Sequence, residues 1–351
     1  MSSFPAIVIR QDGDRTRASL EQLTAADLPA GEVLVEVEYS SLNFKDALAV
    51  TGKGKIMRSF PLAAGVDLAG TVLESNDPRF FAGDKVVANG GGLGSARWGG
   101  YSGQVRVPAD SLLQLPSPLT TASAMSIGTA GFTALQCILA LEDQGLATNA
   151  PARAYTSGDC LVPPAGSNRP AEVVVTGSTG GVGSFAVMLL AQRGCRVTAV
   201  SGSQEHEWLR ELGAAEIITR DDLQELAGRP MASERWDAAV DVAGGTMLVG
   251  VLASLRKRGS AAACGLAAGS ELNTTVFPFI LRGISLLGID SDHCPRSLRE
   301  RIWTDLARTV PESQLADPTE EISLEEVPTA CERLLEGGVR GRIRVRVKSQ
   351  S

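Results

Sequence analysis

An apolar run at residues 171–175 leads into closely spaced glycines and then into the helical pattern of residues 184–193. The glycines are Gly177, Gly180, Gly181 and Gly183. A second apolar run at 196–201 completes a strand–helix–strand unit. In such units the first glycine makes a tight turn, the next ones let the backbone approach a pyrophosphate, and the last allows close helix packing. Amides at the helix N-terminus bind the pyrophosphate. We therefore predict a dinucleotide site rather than a purely structural turn.

The residues after the second predicted strand indicate which dinucleotide is bound. An NAD site usually has Asp or Glu at this point, which binds the ribose 2′-hydroxyl. This chain has Ser201, Gly202 and Ser203 there, and Arg220 follows the next predicted strand. Hydroxyls and a cation suit a 2′-phosphate, so we predict NADPH rather than NADH. Glu205 keeps the NADH alternative open, because a one-position shift of the turn would bring its carboxylate to the ribose.

Strand and helix patterns alternate between residues 171 and 289. This order predicts a parallel, doubly wound sheet, because parallel neighbours need crossover helices. Short strand patterns separated by Gly, Pro and Asp turns predict a β-rich domain nearer the N-terminus, and the alternating residues 341–347 predict a last strand. A helical pattern at 122–141 leads from one region to the other. The expected fold class is α/β with two domains.

Composition restricts the partners of the 351-residue chain. A net charge of -7 argues against nucleic acid. The N-terminus lacks a basic segment followed by an apolar one, and we see no long apolar run suited to a membrane span, so we expect a cytoplasmic protein without a membrane partner. The six cysteines contain no closely spaced pair, and there are only two histidines, so we expect reduced, mostly buried thiols and no metal. His293, beside Asp290 and Asp292, lacks the spacing of a metal site.

Three further segments are interpreted by their context. Residues 147–170 are rich in Ala, Pro, Ser and Gly and predict a surface insertion without chemistry of its own. The glycine-rich residues 89–94 precede no helix, so we interpret them as a flexible loop over a pocket and not as a phosphate site. Residues 264–269 end a predicted strand, which brings the backbone around Leu266 to the nicotinamide.

Several motifs together carry a family resemblance that covers nearly the whole chain outside the insertion. They are residues 40–48 (SSLNFKDAL), 51–55 (TGKGK), 60–61 (FP), 65–70 (GVDLAG), 98–100 (WGG), 128–134 (GTAGFTA), the glycine turn and 278–282 (PFILR). The chain resembles the zinc-independent medium-chain dehydrogenase/reductases, the quinone-oxidoreductase-like group. Zinc-dependent relatives carry Gly-His-Glu where this chain has Gly65, Val66 and Asp67.

The resemblance implies a GroES-like β domain formed by both chain ends, residues 1–121 and 292–351. It surrounds a Rossmann NADP-binding domain, residues 122–291, and the implied active site lies between them. The cofactor contacts implied by the turn and the resemblance are Phe44, Thr129, Gly177, Thr179, Gly180, Gly181, Val182, Gly183, Ser201, Gly202, Ser203, Arg220, Leu266, Ile280, Ser291 and Arg342. The family pattern has Tyr at position 44 and Arg at position 203, so this chain lacks a hydroxyl and a cation there.

The chemistry implied by the resemblance is reduction of the C=C bond of a short 2-enoyl-CoA, with acrylyl-CoA as the expected substrate. Asn43, Lys45 and Asp46 are the expected catalytic residues, and Lys53, Lys55, Arg58 and Trp98 are the expected substrate-binding residues. Asn43 is interpreted as orienting the cofactor or the oxyanion, and Lys45 as stabilising charge or relaying a proton. The alternative interpretations are a helix N-cap at Asn43, a solvated pair of Lys45 with Asp46, and an ordinary exposed basic loop.

Two other functions stay open from the sequence. One is reduction of quinones or general enones by the same hydride chemistry. The other is an NADPH-binding redox sensor without catalysis, which Phe44 would permit. The resemblance also implies a homodimer in which residues 274–287 form the contact, although an apolar run of this kind also fits a buried central strand.

Overall fold

The structure is a computed structural model that describes residues 3–13, 15–148, 169–202, 205–316 and 319–348. Most of the predicted insertion at 147–170, and Ser203, lie outside the described residues. The chain divides into two compact units. The first unit comprises Met1–Phe132 and Ser291–Ser351, and the second comprises Thr133–Asp290.

The strands of the described chain are β1 Phe4–Asp12, β2 Arg15–Leu23, β3 Val33–Leu42, β4 Leu62–Ala63, β5 Asp67–Ser75, β6 Lys85–Asn89, β7 Gln104–Val107, β8 Leu113–Gln114, β9 Glu172–Val175, β10 Arg196–Val200, β11 Ala214–Ile218, β12 Trp236–Asp241, β13 Leu255–Ala263, β14 Ser285–Gly288, β15 Thr319–Ser323 and β16 Arg342–Arg346. The α-helices are α1 Phe44–Val50, α2 Thr121–Asp143, α3 Gly181–Gln192, α4 His206–Glu211, α5 Arg220–Ala227, α6 Gly245–Ser254, α7 Phe277–Arg282, α8 Arg296–Thr309, α9 Ser313–Ala316 and α10 Val327–Leu335.

The first unit is built on two sheets. One has three strands in the order β2-β1-β4, and the other has the order β15-β16-β3-β5-β6-β8, with β7 paired to β3. Strand β3 pairs with β5, β7 and β16 in antiparallel register, so its apolar side chains are central to this unit. Val35, Val37, Leu68, Val86 and Ile343 are among the buried residues of its core. The predicted GroES-like β-rich domain is confirmed.

The second unit contains a six-stranded parallel sheet in the order β11-β10-β9-β12-β13-β14. Strand β9 lies inside this sheet and has Val173, Val174 and Val175 fully buried. Helices α3 to α7 supply the crossovers. The predicted doubly wound sheet is confirmed. Helix α3 begins at Gly181, three residues before the predicted start at Ser184, because the glycine turn itself supplies its first residues.

Helix α2 is broken at Gly128, whose φ of 51° and ψ of -163° are not helical. By length and composition alone α2 is long and apolar enough to cross a membrane, with a mean hydropathy of 1.6. However, 89% of the most apolar 18-residue stretch of α2 is buried inside the protein, as in the core helix of a globular fold. The break at Gly128 leaves the amide of Thr129 at the start of a new helical segment, which is important for the site below.

Candidate active site

The glycine turn after β9 has the shape that a pyrophosphate needs. Gly177 adopts a φ of 61°, a left-handed conformation that glycine enters without strain. Gly180 is the N-cap of α3, so the first amides of this helix, beginning at Gly181, are directed at the turn. A Cβ on Gly183 would lie 2.1 Å from the carbonyl oxygen of Gly177, so only glycine fits there. Thr179 and Val182 are half-buried along the same turn. These residues fit a dinucleotide.

The C-terminal end of β10 holds the residues predicted to recognise the ribose phosphate. Ser201 is buried, and its amide donates to the carbonyl oxygen of Ile218. A Cβ on Gly202 would lie 3.1 Å from Nε of Arg220, so this guanidinium lies against the Gly202 backbone. Arg220 is exposed at the first position of α5. The structure thus brings Gly202 and Arg220 together at the edge of the sheet where ligands of parallel sheets bind.

Two buried polar residues next to this edge were missed by the sequence analysis. Thr176 donates its hydroxyl hydrogen to Oδ1 of Asp241 at 2.7 Å, and Oδ2 of Asp241 accepts from the amide of Gly244 at 2.8 Å. Burial raises the pKa of Asp241 despite these hydrogen bonds. The pair joins the ends of β9 and β12, so it fixes two loops of the nucleotide edge. Its two residues are 65 positions apart, and no local motif reveals it.

The remaining predicted cofactor contacts of the second unit are exposed. Leu266 has 60% of its surface exposed and follows the end of β13. Ile280 is 67% exposed on α7, together with Val276, Phe277 and Leu281. These four side chains of α7 and its N-cap form an apolar patch beside β14, which is an edge strand.

In the first unit, the predicted catalytic residues lie at the start of α1. Asn43 is the N-cap, and its amide donates to Oδ2 of Asp46 at 3.0 Å. The Asp46 side chain is buried, and its Oδ1 accepts from the amide of Val66 at 2.9 Å. Burial, with a further contribution from the charge of Asp67, raises the pKa of Asp46 to about 7. Phe44, the first residue of α1, is 44% exposed. The helix-capping interpretation of Asn43 is therefore the one the geometry favours.

Asp67 is the centre of a buried hydrogen-bond network that the sequence analysis did not predict. Its Oδ2 accepts from Nδ2 of Asn43 at 2.9 Å, from the amide of Thr129 at 2.9 Å, and from the hydroxyl of Ser41. Its Oδ1 accepts from the hydroxyl of Thr129 at 2.5 Å. The site of the Gly-His-Glu motif in zinc-dependent relatives is thus occupied here by Asp67 and its donors. We name Ser41, Asn43, Asp67 and Thr129 the Asp67 network.

Arg342, predicted as a cofactor contact, is a buried residue at the start of β16. Its Nε donates to the carbonyl oxygen of Ser126, and its Nη1 donates to Oδ1 of Asn43 at 3.2 Å. A Cβ on Gly128 would lie 2.6 Å from Nη2 of Arg342, so glycine is required at the break in α2. Burial lowers the pKa of this guanidinium, and the carboxylates of Asp67 and Asp46 offset part of that effect.

Lys45 pairs with a residue far along the chain and not with Asp46. Its Nζ lies 2.8 Å from Oδ2 of Asp292. Oδ1 of Asp292 accepts from the amide of Gly92, and its carbonyl oxygen accepts from the amide of Gly91. Burial would raise the pKa of Asp292, but the hydrogen bonds from Lys45 and Gly92 outweigh it and lower the pKa. The interpretation of residues 89–94 as a flexible loop is wrong, because the chain returns at 291–292 and packs against it.

The predicted substrate-binding residues come from two separate parts of the first unit and differ in environment. Lys53, Lys55 and Arg58 are exposed after α1, and Trp98 is half-buried against the core of the first unit. Ser291 is half-buried where the chain enters the first unit again, and its carbonyl oxygen would lie 2.8 Å from a Cβ on Gly90. Within the described residues, no group of three or more His, Cys, Asp or Glu side chains is placed to hold a metal ion.

Comparison with known families and proteins places this geometry in context. Residues 29–117 match the alcohol dehydrogenase GroES-like domain, and residues 181–305 match the zinc-binding dehydrogenase domain. The chain is 45% identical to the probable acrylyl-CoA reductase AcuI of Escherichia coli K12, over 97% of this chain and 99% of that protein. It is 43% identical to the acrylyl-CoA reductase AcuI of Ruegeria pomeroyi, over 99% of this chain and all of that protein. The chain therefore belongs to the medium-chain dehydrogenase/reductase family of oxidoreductases.

Other relatives extend the comparison. The putative quinone oxidoreductase YhfP of Bacillus subtilis is 40% identical over 98% of this chain and 99% of that protein. A crystal structure of yhfP with NAD bound has a TM-score of 0.89 at 39% identity, covering 99% of this chain and 100% of that one. A crystal structure of the Salmonella enterica oxidoreductase yhdH in complex with NADP also has a TM-score of 0.89, at 44% identity, covering 98% of this chain and 100% of that one. The predicted family resemblance is confirmed.

Proposed function

We propose that the protein reduces the C=C bond of a short 2-enoyl-CoA with NADPH, converting acrylyl-CoA to propionyl-CoA. The observation that carries the proposal is the 45% and 43% identity to two acrylyl-CoA reductases over nearly the full length of each chain. The predicted site residues support it, because both the glycine turn and the α1 residues Asn43, Phe44 and Lys45 are present in well-formed elements.

NADPH is the proposed cofactor. The NADP-bound yhdH relative supports this choice, and the NAD-bound yhfP relative supports the alternative. In this chain, neither Ser201 nor Gly202 carries a carboxylate that would repel a 2′-phosphate, and Arg220 lies against Gly202. A guanidinium forms strong charge-assisted hydrogen bonds to phosphate. Arg220 therefore favours NADPH, and Ser201 and Ser203 add hydroxyl donors.

The bound cofactor supplies the hydride for the β-carbon of the enoyl group. The protein must then stabilise the negative charge that collects on the thioester oxygen and supply a proton to the α-carbon. Phe44 has no proton to donate. Lys45 is the cationic side chain of α1, and its ammonium is held by Asp292 with 38% of the side chain exposed. We assign Lys45 to charge stabilisation and proton relay, and Asn43 and Asp46 to holding the start of α1 in place.

The coenzyme A part of the substrate carries several phosphates. Lys53, Lys55 and Arg58 present three cations within six residues on the exposed segment that follows α1. In a protein of net charge -7, such a group attracts an anionic ligand. We assign these residues to the coenzyme A phosphates, and Trp98, which is only half-buried, to contact with the acyl-CoA.

A single set of rate measurements tests the proposal. The purified protein is mixed with NADPH or NADH and with acrylyl-CoA, crotonyl-CoA or a simple quinone, and nucleotide oxidation is followed at the nicotinamide absorbance. Fastest turnover with NADPH and acrylyl-CoA is the expected result. Turnover confined to quinones would overturn the thioester proposal and favour the quinone reductase alternative, which the 40% identity to YhfP supports. Nucleotide binding with no turnover would favour the redox sensor.

We also infer a cytoplasmic homodimer. Strand β14 lies at the edge of the parallel sheet, and beside it Val276, Phe277, Ile280 and Leu281 are between 47% and 67% exposed. An unpaired strand edge next to an apolar patch favours pairing with a second copy. A Leu281→Asp variant should be monomeric by light scattering after size-exclusion chromatography, and Phe81→Asp, at a 66% exposed phenylalanine of the first unit, should remain dimeric. A monomeric wild-type protein would contradict the inference.

A further inference from the structure

The Asp67 network joins three separate segments of the first unit. Ser41 and Asn43 lie where β3 leads into α1, Asp67 is the first residue of β5, and Thr129 follows the break in α2. Ser41, Asn43 and Thr129 all donate to the fully buried carboxylate of Asp67. Two of these segments carry the residues assigned above to the reaction, since Asn43 precedes Phe44 and Lys45, and Thr129 is a predicted cofactor contact. No donor in the network is close to Asp67 in sequence.

A carboxylate suits this position because an ionised Asp accepts hydrogen bonds and donates none. Each group that faces Asp67 in the network is a donor: two hydroxyls, one carboxamide nitrogen and one backbone amide. The amide of Thr129 starts a helical segment, and helix N-termini favour negative charge. A buried donor that loses its acceptor is costly, so the three segments are held together as long as Asp67 is present.

Arg342 supports the network from the other side. Its Nη1 donates to Oδ1 of Asn43, which orients the carboxamide so that Nδ2 is directed to Asp67. Its Nη2, Oδ2 of Asp67 and Oγ of Ser41 would all lie within 3 Å of a Cβ at Gly128, so these three polar atoms surround the glycine. The buried cation and carboxylate thus face each other across the break in α2, and the Asn43 side chain bridges them.

We propose that Asp67 is a positioning residue for the hydride-transfer reaction. It fixes the start of α1, and with it Phe44 and Lys45, relative to Thr129. This inference deepens the proposed function and rests on it. Positioning of this kind affects rate strongly, because a displacement of about 1 Å can cost about 100-fold in turnover. Asp67 is fully buried, and the proposed role includes no contact with the substrate or the reacting atoms.

The test compares Asp67→Asn with a matched control, Asp237→Asn. Asp237 is also a multiple acceptor, bonded by Arg169, Arg256 and the amide of Glu172, but it lies at the start of β12 in the second unit. Asparagine at 67 places an amide donor against the donors of Asn43 and Thr129. We expect kcat to fall about 100-fold in Asp67→Asn and less than about 2-fold in Asp237→Asn, at a temperature where both are folded.

Two further variants separate positioning from loss of fold. Ser41→Ala removes one donor to Asp67 and one acceptor of Asn43 Nδ2, but it leaves the bonds of Asn43 and Thr129 to Asp67 in place, so it should fold and lower kcat several-fold. The double variant Asp67→Asn with Ser41→Ala should be no slower than Asp67→Asn alone, because both changes break one unit. A purely structural role predicts instead that kcat follows the melting temperature across all variants, including Asp237→Asn. Additive losses, or unchanged kcat in Asp67→Asn, would overturn the proposal.

Failure of the proposed function gives a different pattern. If the wild-type protein reduces quinones and not acrylyl-CoA, the function is wrong, and the same comparison of variants on quinone turnover tests Asp67. If the wild type turns over neither substrate, titration of NADPH fluorescence tests the role of Asp67 instead, because it measures the dissociation constant of NADPH. Asp67→Asn should then bind NADPH about 10-fold more weakly, through the displaced Thr129, and Asp237→Asn should bind normally. Equal dissociation constants would overturn the role of Asp67.

Discussion

Nζ of Lys45 lies 2.8 Å from Oδ2 of Asp292, which joins α1 to the chain segment that begins the second half of the first unit. The same carboxylate accepts from Gly92 in the loop after β6. Asp292 therefore holds one end of the Lys45 side chain and anchors the glycine loop. This arrangement makes the position of the ammonium depend on a residue 247 positions away.

Removal of the Lys45 charge tests its assigned role. Lys45→Met should lower kcat/KM for acrylyl-CoA roughly 100-fold. A cation beside the negative charge that develops in the transition state accelerates the reaction by about that factor. The melting temperature should hardly change, since partly exposed ion pairs contribute little. Lys348→Met is the matched control, because Lys348 pairs with Glu36 at the same 2.8 Å. Wild-type turnover in Lys45→Met would remove Lys45 from the mechanism.

The raised pKa of Asp46 predicts a pH dependence of stability. The folded pKa of about 7 lies above the ordinary value of 3.8 for the unfolded chain. Between these pH values the folded protein keeps a proton that the unfolded chain has released, so the free energy of unfolding falls as pH rises through this range. The loss amounts to about 4 kcal/mol by pH 7, at about 1.4 kcal/mol per pKa unit. Calorimetry at pH 5.0 and 7.5 covers the upper part of this range and should show a loss of about 3 kcal/mol.

An Asp46→Asn variant should lose this pH dependence, because no carboxyl remains to titrate. Asp237→Asn serves as control. Burial would raise the pKa of Asp237, but hydrogen bonds from Arg169 and Glu172 lower it overall. The stabilisation that Asp237 contributes is complete above the pKa that this group has in the unfolded chain. It is lost only as pH falls through the lower pKa of the folded protein. That variant should be less stable yet keep the wild-type change between pH 5.0 and 7.5. A wild-type change in Asp46→Asn would show that another group titrates.

A methyl group at Gly183 should block nucleotide binding. Its Cβ would lie 2.1 Å from the carbonyl oxygen of Gly177, so the turn that receives the pyrophosphate must open. We expect the Kd for NADPH to rise more than about 10-fold in Gly183→Ala, which corresponds to about 1.4 kcal/mol. Gly228→Ala is the control, since its Cβ would make only an ordinary 3.4 Å contact. Equal affinities in the two variants would exclude the turn as the pyrophosphate site.

Loss of the Arg220 guanidinium should change the choice of nucleotide. Arg220→Ala is expected to raise the KM for NADPH by about 10- to 100-fold, as loss of a charge-assisted hydrogen bond to phosphate does, and to leave the KM for NADH unchanged. Arg229→Ala, at an exposed arginine of the same unit, should alter neither value. An equal effect on both nucleotides would place Arg220 away from the 2′-phosphate.

The parallel sheet was predictable because its strands contain short apolar stretches, such as residues 173–175 in β9, and helical patterns separate most of them. The nucleotide turn was predictable for the same reason, since its glycines are local in sequence. Strand β2, by contrast, has the sequence RTRASLEQL, in which charged and apolar residues alternate too weakly to predict a strand. Its extended conformation comes from antiparallel pairing with β1 along its whole length.

The Asp67 network was not predictable, because its donors come from segments between 24 and 62 positions away from Asp67. No periodicity or motif marks such a set, and only the packing of β3, β5 and the broken α2 brings it together. The same holds for Lys45, which the sequence paired with its neighbour Asp46, although Asp46 is buried under the helix start and Asp292 is the actual partner. Local sequence shows which residues are polar, but long-range packing decides their partners.

The central claim is hydride transfer to the β-carbon of acrylyl-CoA. It is tested most directly by incubating the protein with acrylyl-CoA and NADPH deuterated at both C4 positions, in ordinary water, and locating the label by mass spectrometry and NMR. The expected product is propionyl-CoA with one deuterium on the methyl carbon, C3, and a solvent hydrogen on C2. Absence of propionyl-CoA, or deuterium at C2, would contradict it.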